Sequence, residues 1–144
     1  MAKIKIFALG GLGENGKNMY VVEVNQHIFI LDAGIKYPDI DMYGVDAVIP
    51  NINYLIKNKD RIEGIFITHG HEDHISALPY LLKKIPTRVY GTHFTICLIE
   101  NLLSENKMDI KNYKLFRIND TKQLKFKDVT VSIFNTTHSI PESV

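Results

Sequence analysis

The sequence predicts an α/β fold, and three observations predict it. Short runs rich in β-branched and apolar residues alternate with segments of helical spacing. Glycine, proline and asparagine mark the joints between them. A dense cluster of histidines and carboxylates directly follows a short apolar strand.

The elements follow in order. Lys3 to Leu9 reads as a first strand, closed by the glycine-rich stretch GGLGENG, which reads as a tight strand-to-strand turn. It lacks the Lys-Ser or Lys-Thr of a phosphate-cradling loop and no long helix follows it. Asn18 to Val24 and His27 to Leu31 form a hairpin about Asn25-Gln26. Residues 35–50 carry Pro38, Gly44 and Pro50 and read as a loop, whose Asp39, Asp41 and Asp46 read as solvated. Asn51 is placed to cap a short helix with Ile52, Leu55 and Ile56 on one face. Gly64 to Thr68 is a buried strand, since Ile65, Phe66 and Ile67 run without a polar break. A helix is expected from about Ile75 to Lys84, with Pro79 tolerated in its first turn. Arg88 to Tyr90 is a strand and His93 to Asn106 a helix. Tyr113 to Ile118, Gln123 to Phe126 and Val129 to Phe134 are strands.

Composition bounds the function. The chain has 144 residues, 45% of them hydrophobic, enough for the core of one domain. A net charge of +1 excludes the strongly basic balance of a simple nucleic-acid clamp. A single cysteine excludes an intrachain disulfide framework and fits a reducing, cytoplasmic setting. The apolar N-terminal run is cut by glycines and Glu14, so neither a signal peptide nor a membrane span is expected there.

The chemistry concentrates in Thr68-His69-Gly70-His71-Glu72-Asp73-His74. In an extended loop, residues two apart point to the same side, so His69 and His71 can reach one metal ion together. Asp73 and His74 come where the chain turns into a helix and can face a second ion. Zinc takes nitrogen and oxygen donors and leaves an open position in catalytic sites. A solvated polar loop is the plain alternative, and ligand-type spacing outweighs it. Glu72 faces the other way and reads as exposed. His27 also reads as exposed, His93 as a helix opener without a partner at ligand spacing, and Cys97 as a buried structural thiol.

Val-x-Leu-Asp-x-Gly, then H-x-H-x-D-H, then an isolated downstream histidine is the motif order of the metallo-β-lactamase superfamily. Asp32, the His69 to His74 cluster and His138 match it. GGLGENGKN at 10–18, PDIDMYGVDAVIPNINYL at 38–55, THGHEDH running into LPYLL, and TTHSIPES at 136–143 resemble the ribonuclease J family. Ser76-Ala77 departs from the glycines usual there but keeps small residues.

The resemblance implies an αββα sandwich of which these residues form the first half. Its two halves complete one core, so apolar sheet faces are expected to lack cover. It implies that His69, His71 and His138 bind one zinc ion and that Asp73 and His74 bind another. Asp73 and Asp32 are then the expected catalytic residues, Asp32 from behind the ligands, holding an imidazole by its other nitrogen. A turn-forming role in Asp-Ala-Gly is the plain alternative for Asp32.

The activity implied is that of a zinc-dependent ribonuclease, with manganese as an alternative ion. It would act as a 5′ to 3′ exonuclease and endonuclease on RNA, in messenger decay and ribosomal RNA maturation. The full-length protein would be a cytoplasmic homo-oligomer without membrane association. The family's bridging aspartate, final histidine, β-CASP domain and C-terminal domain are missing from residues 1–144, which are therefore expected to be an N-terminal part of the domain, inactive alone. Two other classes stay open: a hydrolase of the same fold acting on a thioester or lactone, and a non-catalytic remnant or interaction module.

Overall fold

A computed structural model describes residues 2–144. Eight strands are β1 (Ile4–Gly10), β2 (Met19–Val24), β3 (His27–Leu31), β4 (Ile62–Phe66), β5 (Arg88–Gly91), β6 (Lys114–Arg117), β7 (Gln123–Phe126) and β8 (Val129–Ser132). The α-helices are α1 (Asn53–Lys57), α2 (Glu72–Ile75), α3 (Leu78–Lys84) and α4 (His93–Glu105). Strands β1 to β6 form one sheet in sequence order, and β7 and β8 form a separate hairpin. The pairs β1–β2 and β2–β3 are antiparallel, while β3–β4, β4–β5 and β5–β6 are parallel. The parallel half therefore needs crossover connections, and the helices supply them.

Strand alternation sorts the core into two clusters. Val21, Ile28, Ile30, Ile65, Ile67 and Val89 face the helices and pack with Leu55, Leu78, Leu81, Ile96 and Ile99. Their neighbours Val22, Phe29, Leu31, Phe66 and Tyr90 face the other way, toward Leu124, Phe126, Val129 and Val131 of the hairpin. Phe66 and Tyr90 stack at 4.7 Å, and Phe126 meets Phe29 edge-on at 5.3 Å. The hairpin covers this second face only in part. An apolar cleft of about 400 Å³ remains, lined among others by Val22, Leu31, Phe66, Val131 and Phe134.

Several local expectations change. The helix expected over 75–84 is two helices, because the chain breaks at Ser76-Ala77 and Pro79 begins a new first turn. The N-cap position of α1 is Ile52, not Asn51. The Asn51 side chain accepts from the Asn53 N–H at 3.0 Å, and Ile56 is more exposed than Ile52 and Leu55. The last strand ends at Ser132, short of Phe134. His27 is buried, not exposed, because Glu63 at 2.6 Å and Asp128 at 3.2 Å take its two ring nitrogens. Cys97 is exposed, not buried, since α4 turns it away from the sheet toward His93. Among the described residues, no helix is long and apolar enough to cross a membrane.

Candidate metal centre

Parallel strands leave their carboxyl ends at one edge, and α/β folds place ligands there. Asp32 follows β3 and the segment Thr68–His74 follows β4. The Asp32 N–H donates to the Phe66 carbonyl at 2.9 Å and the Ala33 N–H to the His74 carbonyl at 2.7 Å. These bonds lay Asp32-Ala33-Gly34 along the start of α2. A Cβ on Gly34 would come within 1.5 Å of the Asp73 carbonyl oxygen, so only glycine allows this approach. Asp32 itself adopts a left-handed backbone, φ 61°, which aspartate tolerates better than most residues.

His71 has extended backbone and is the N-cap of α2. Glu72 and Asp73 occupy the first helical turn, where the exposed N–H groups favour carboxylates. Ring nitrogens of His69, His71 and His138 lie within 4.8 Å of one another. His71 Nδ1 and His138 Nε2 are 3.1 Å apart. Two of the rings come from the β4–α2 loop and the third, His138, from 67 positions beyond His71.

Asp32 governs the proton positions of two rings. It accepts from the Thr68 N–H at 2.8 Å and from the Thr68 hydroxyl at 2.9–3.0 Å. That hydroxyl, committed as a donor, accepts from His69 Nδ1 at 2.9 Å. The His69 proton therefore sits on Nδ1 and the lone pair on Nε2. Among the described residues, Nε2 of His69 is buried without a hydrogen-bond partner. Burial, reinforced by the neighbouring charge of His74, lowers the His69 pKa to about 4, so the ring is neutral at physiological pH. An unpaired lone pair buried beside two further imidazoles is costly unless a hydrogen-bond donor or a metal ion takes it. The donor set thus fits a divalent ion of zinc type.

The neighbouring position has a different make-up. His74 Nδ1 donates to Asp32 Oδ2 at 2.8 Å, leaving Nε2 as acceptor, 3.4 Å from Asp73 Oδ2. Burial lowers the His74 pKa, but the Asp32 hydrogen bond and the charges of Asp32 and Asp73 outweigh it, so the net shift is upward. The Asn18 amide nitrogen sits between these donors, 2.9 Å from Asp73 Oδ2 and 3.2 Å from His74 Nε2. One amide N–H donates to each. Asn18 is brought there by the β1–β2 turn, whose Lys17 N–H bonds the Ile35 carbonyl and whose Asn18 carbonyl accepts the Gly34 N–H.

All six expected residues therefore meet at one edge: His69, His71 and His138 in one group, Asp73 and His74 beside it, and Asp32 behind both. Glu72 is exposed and accepts from the Tyr37 hydroxyl. Asn18 was not singled out from sequence, because no spacing rule links the β1–β2 turn to the histidine loop.

Residues 12–134 match the family model of the metallo-beta-lactamase superfamily. The chain belongs to the metallo-β-lactamase superfamily. It is 47% identical over 141 residues to Ribonuclease J 2 of Staphylococcus aureus, which is 98% of this chain and 25% of that protein. It is 49% identical over 144 residues to Ribonuclease J 2 of Streptococcus pyogenes, all of this chain and 26% of that protein. The chain thus spans about a quarter of the length of these relatives. A crystal structure of a protein of unknown function from Enterococcus faecalis V583 superposes with a TM-score of 0.74 at 14% identity, over 98% of this chain and 39% of that one. That likeness bears on the fold alone. For a metallo-β-lactamase domain, a divalent-metal centre at this edge is what the histidine cluster provides.

Proposed function

We propose that this chain supplies metal-binding residues to a zinc-dependent ribonuclease of the ribonuclease J type, acting on RNA in the cytoplasm. The observation that carries the reading is the buried, partnerless Nε2 of His69 facing His71 and His138, in a chain nearly half identical to ribonucleases over its whole length.

In this reading His69, His71 and His138 hold one ion, and Asp73 and His74 offer donors to a second. Bound divalent ions supply Lewis acidity, polarising a phosphoryl oxygen and making water a better nucleophile at neutral pH. The protein's own part is preorganisation. Asp32 holds the His74 ring directly and the His69 ring through Thr68, so both lone pairs point into the site before any ion arrives. Asp73 is the carboxylate at the reaction edge, positioned by the first turn of α2 and by Asn18.

The expected outcome is metal-dependent cleavage of 5′-monophosphorylated RNA by a protein carrying these residues with a bridging aspartate and a further histidine downstream. Residues 1–144 alone should give none, because the Asp73–His74 position has only two metal ligands. Assays with added zinc and with added manganese, each with a chelator control, test this. Cleavage that survives chelation, or hydrolysis of a thioester but not of RNA, would overturn the reading.

A further inference from the structure

We infer that Glu142 is a positioning residue for the metal centre: it seats the segment carrying His138 by capping α4. The inference rests on the reading of His138 as a metal ligand.

Helix α4 is the longest in the chain at 13 residues, and its own sequence leaves its N-terminus poorly served. Its N-cap residue, Thr92, makes no side-chain cap bond, and its first turn contains no acidic residue. The first N–H groups of a helix need acceptors, and its N-terminus favours a negative charge. Glu142, 48 positions beyond Phe94, brings both. Its carboxylate accepts from the Phe94 N–H at 2.8 Å. Its carbonyl accepts from the Thr92 hydroxyl at 3.0 Å. The Thr95 hydroxyl, 3.0 Å from that of Thr92, can donate in turn and leave the Thr92 proton for Glu142.

The same segment is closed and pinned on its other side. The Thr136 N–H donates to the Ser143 carbonyl at 2.9 Å, which ties residues 136–143 into a loop around His138. The Val144 N–H donates to the Thr68 carbonyl at 3.0 Å, anchoring the loop to the strand end that carries His69. Glu142 holds a left-handed backbone, φ 57°, a conformation that needs such support in a non-glycine residue. His138 is exposed and has little packing of its own to hold it. Its place, with Nε2 3.1 Å from His71 Nδ1, depends on these two anchors. Glu142 acts through the loop, with no contact to the ligand set.

The test is zinc affinity of the protein, measured by competition with a chromophoric chelator, together with the visible spectrum after cobalt substitution. Glu142→Ala should weaken zinc binding about tenfold, the lower end of the effect of residues that orient ligands, and should reduce the cobalt bands of a low-coordinate site. Glu142→Gln keeps an oxygen that can accept from Phe94 and should restore most of both. Glu105→Gln, at the far end of α4, should match the wild type. Should Glu142→Ala fail to fold, Glu142→Gln and Thr92→Val decide the matter. Gln should be near wild type, and Val should show part of the loss. Unchanged affinity and spectrum in Glu142→Ala overturns the inference, as does a Gln variant no better than Ala. A wild-type protein that binds no zinc, or a His138→Ala variant that binds it normally, overturns the ligand reading instead.

Discussion

The two halves of the centre are built by different means. The three-histidine half draws lone pairs from two distant segments, and it leaves one of them, His69 Nε2, buried without a partner. The Asp73–His74 half is a local pair on one turn of helix, and Asn18 already donates to one atom of each, Asp73 Oδ2 and His74 Nε2. The first half keeps a lone pair free, and the second has donors already engaged by an amide. Asp32 serves both, through Thr68 on one side and directly on the other. The difference teaches that adjacent donor sets of similar chemistry need not bind metal equally. What decides is whether the protein itself satisfies the lone pairs.

The largest expected effect breaks the comparison at its stronger half. His69→Ala should cost roughly 100-fold in zinc affinity, one ligand's share of a structural-zinc binding free energy of about 10–16 kcal/mol. His74→Ala should leave the first zinc equivalent within a few-fold of wild type. Calorimetric titration of the two variants measures both. Equal losses would show that the halves are not separable.

A smaller effect sharpens the weaker half. Asn18→Ala frees Asp73 Oδ2 and His74 Nε2 from the amide, and a second equivalent of zinc should tighten a few-fold, the net worth of one hydrogen bond, ~1 kcal/mol. The first equivalent should be unaffected. Elemental analysis after dialysis at graded zinc concentrations distinguishes the two. A weaker second site would mean that the amide prepares the ion's place instead of competing for its donors.

The smallest effect concerns pH in the metal-free protein, where the halves titrate in opposite senses. The folded His69 resists protonation down to about pH 4. Its unfolded counterpart takes a proton near 6.5, so the stability it contributes is present above about pH 6.5 and lost as pH falls toward 4. His74 is shifted upward, so its contribution is present below about pH 6.5 and lost as pH rises through its folded pKa. Thermal melts across pH 4–8 should show a flatter acid limb for His69→Gln and a flatter upper limb for His74→Gln. Variants that flatten the same limb would contradict the assignment of charge states.

Much of this was legible in the residues. Spacing alone put His69 and His71 on one side of a loop, and short β-branched and apolar runs located the eight strands to within a few positions. Breaks were harder to see. The split at Ser76-Ala77 follows from Pro79, which has no N–H to continue the first helix, and from the bond between the Ala77 N–H and the Ala33 carbonyl, a tertiary contact. His27 misled for a similar reason: a histidine beside a turn is ordinarily wet, and only the fold brings Glu63 and Asp128 onto it. Cys97 sits in an apolar run, but the sheet takes Ile96 and Ile99 and leaves the thiol outside.

The sequence by itself determined the α/β class, the approximate strands and the identity of the donor atoms, because these depend on side-chain chemistry, local composition and short-range spacing. The tertiary structure alone decided which lone pairs are free. Asn18 reaches the centre from a turn 55 residues before Asp73, and Glu142 caps a helix that begins some 50 residues before it. Hydrogen-bond partners so distant in sequence carry no periodicity, and only the packed sheet edge brings them to the histidines.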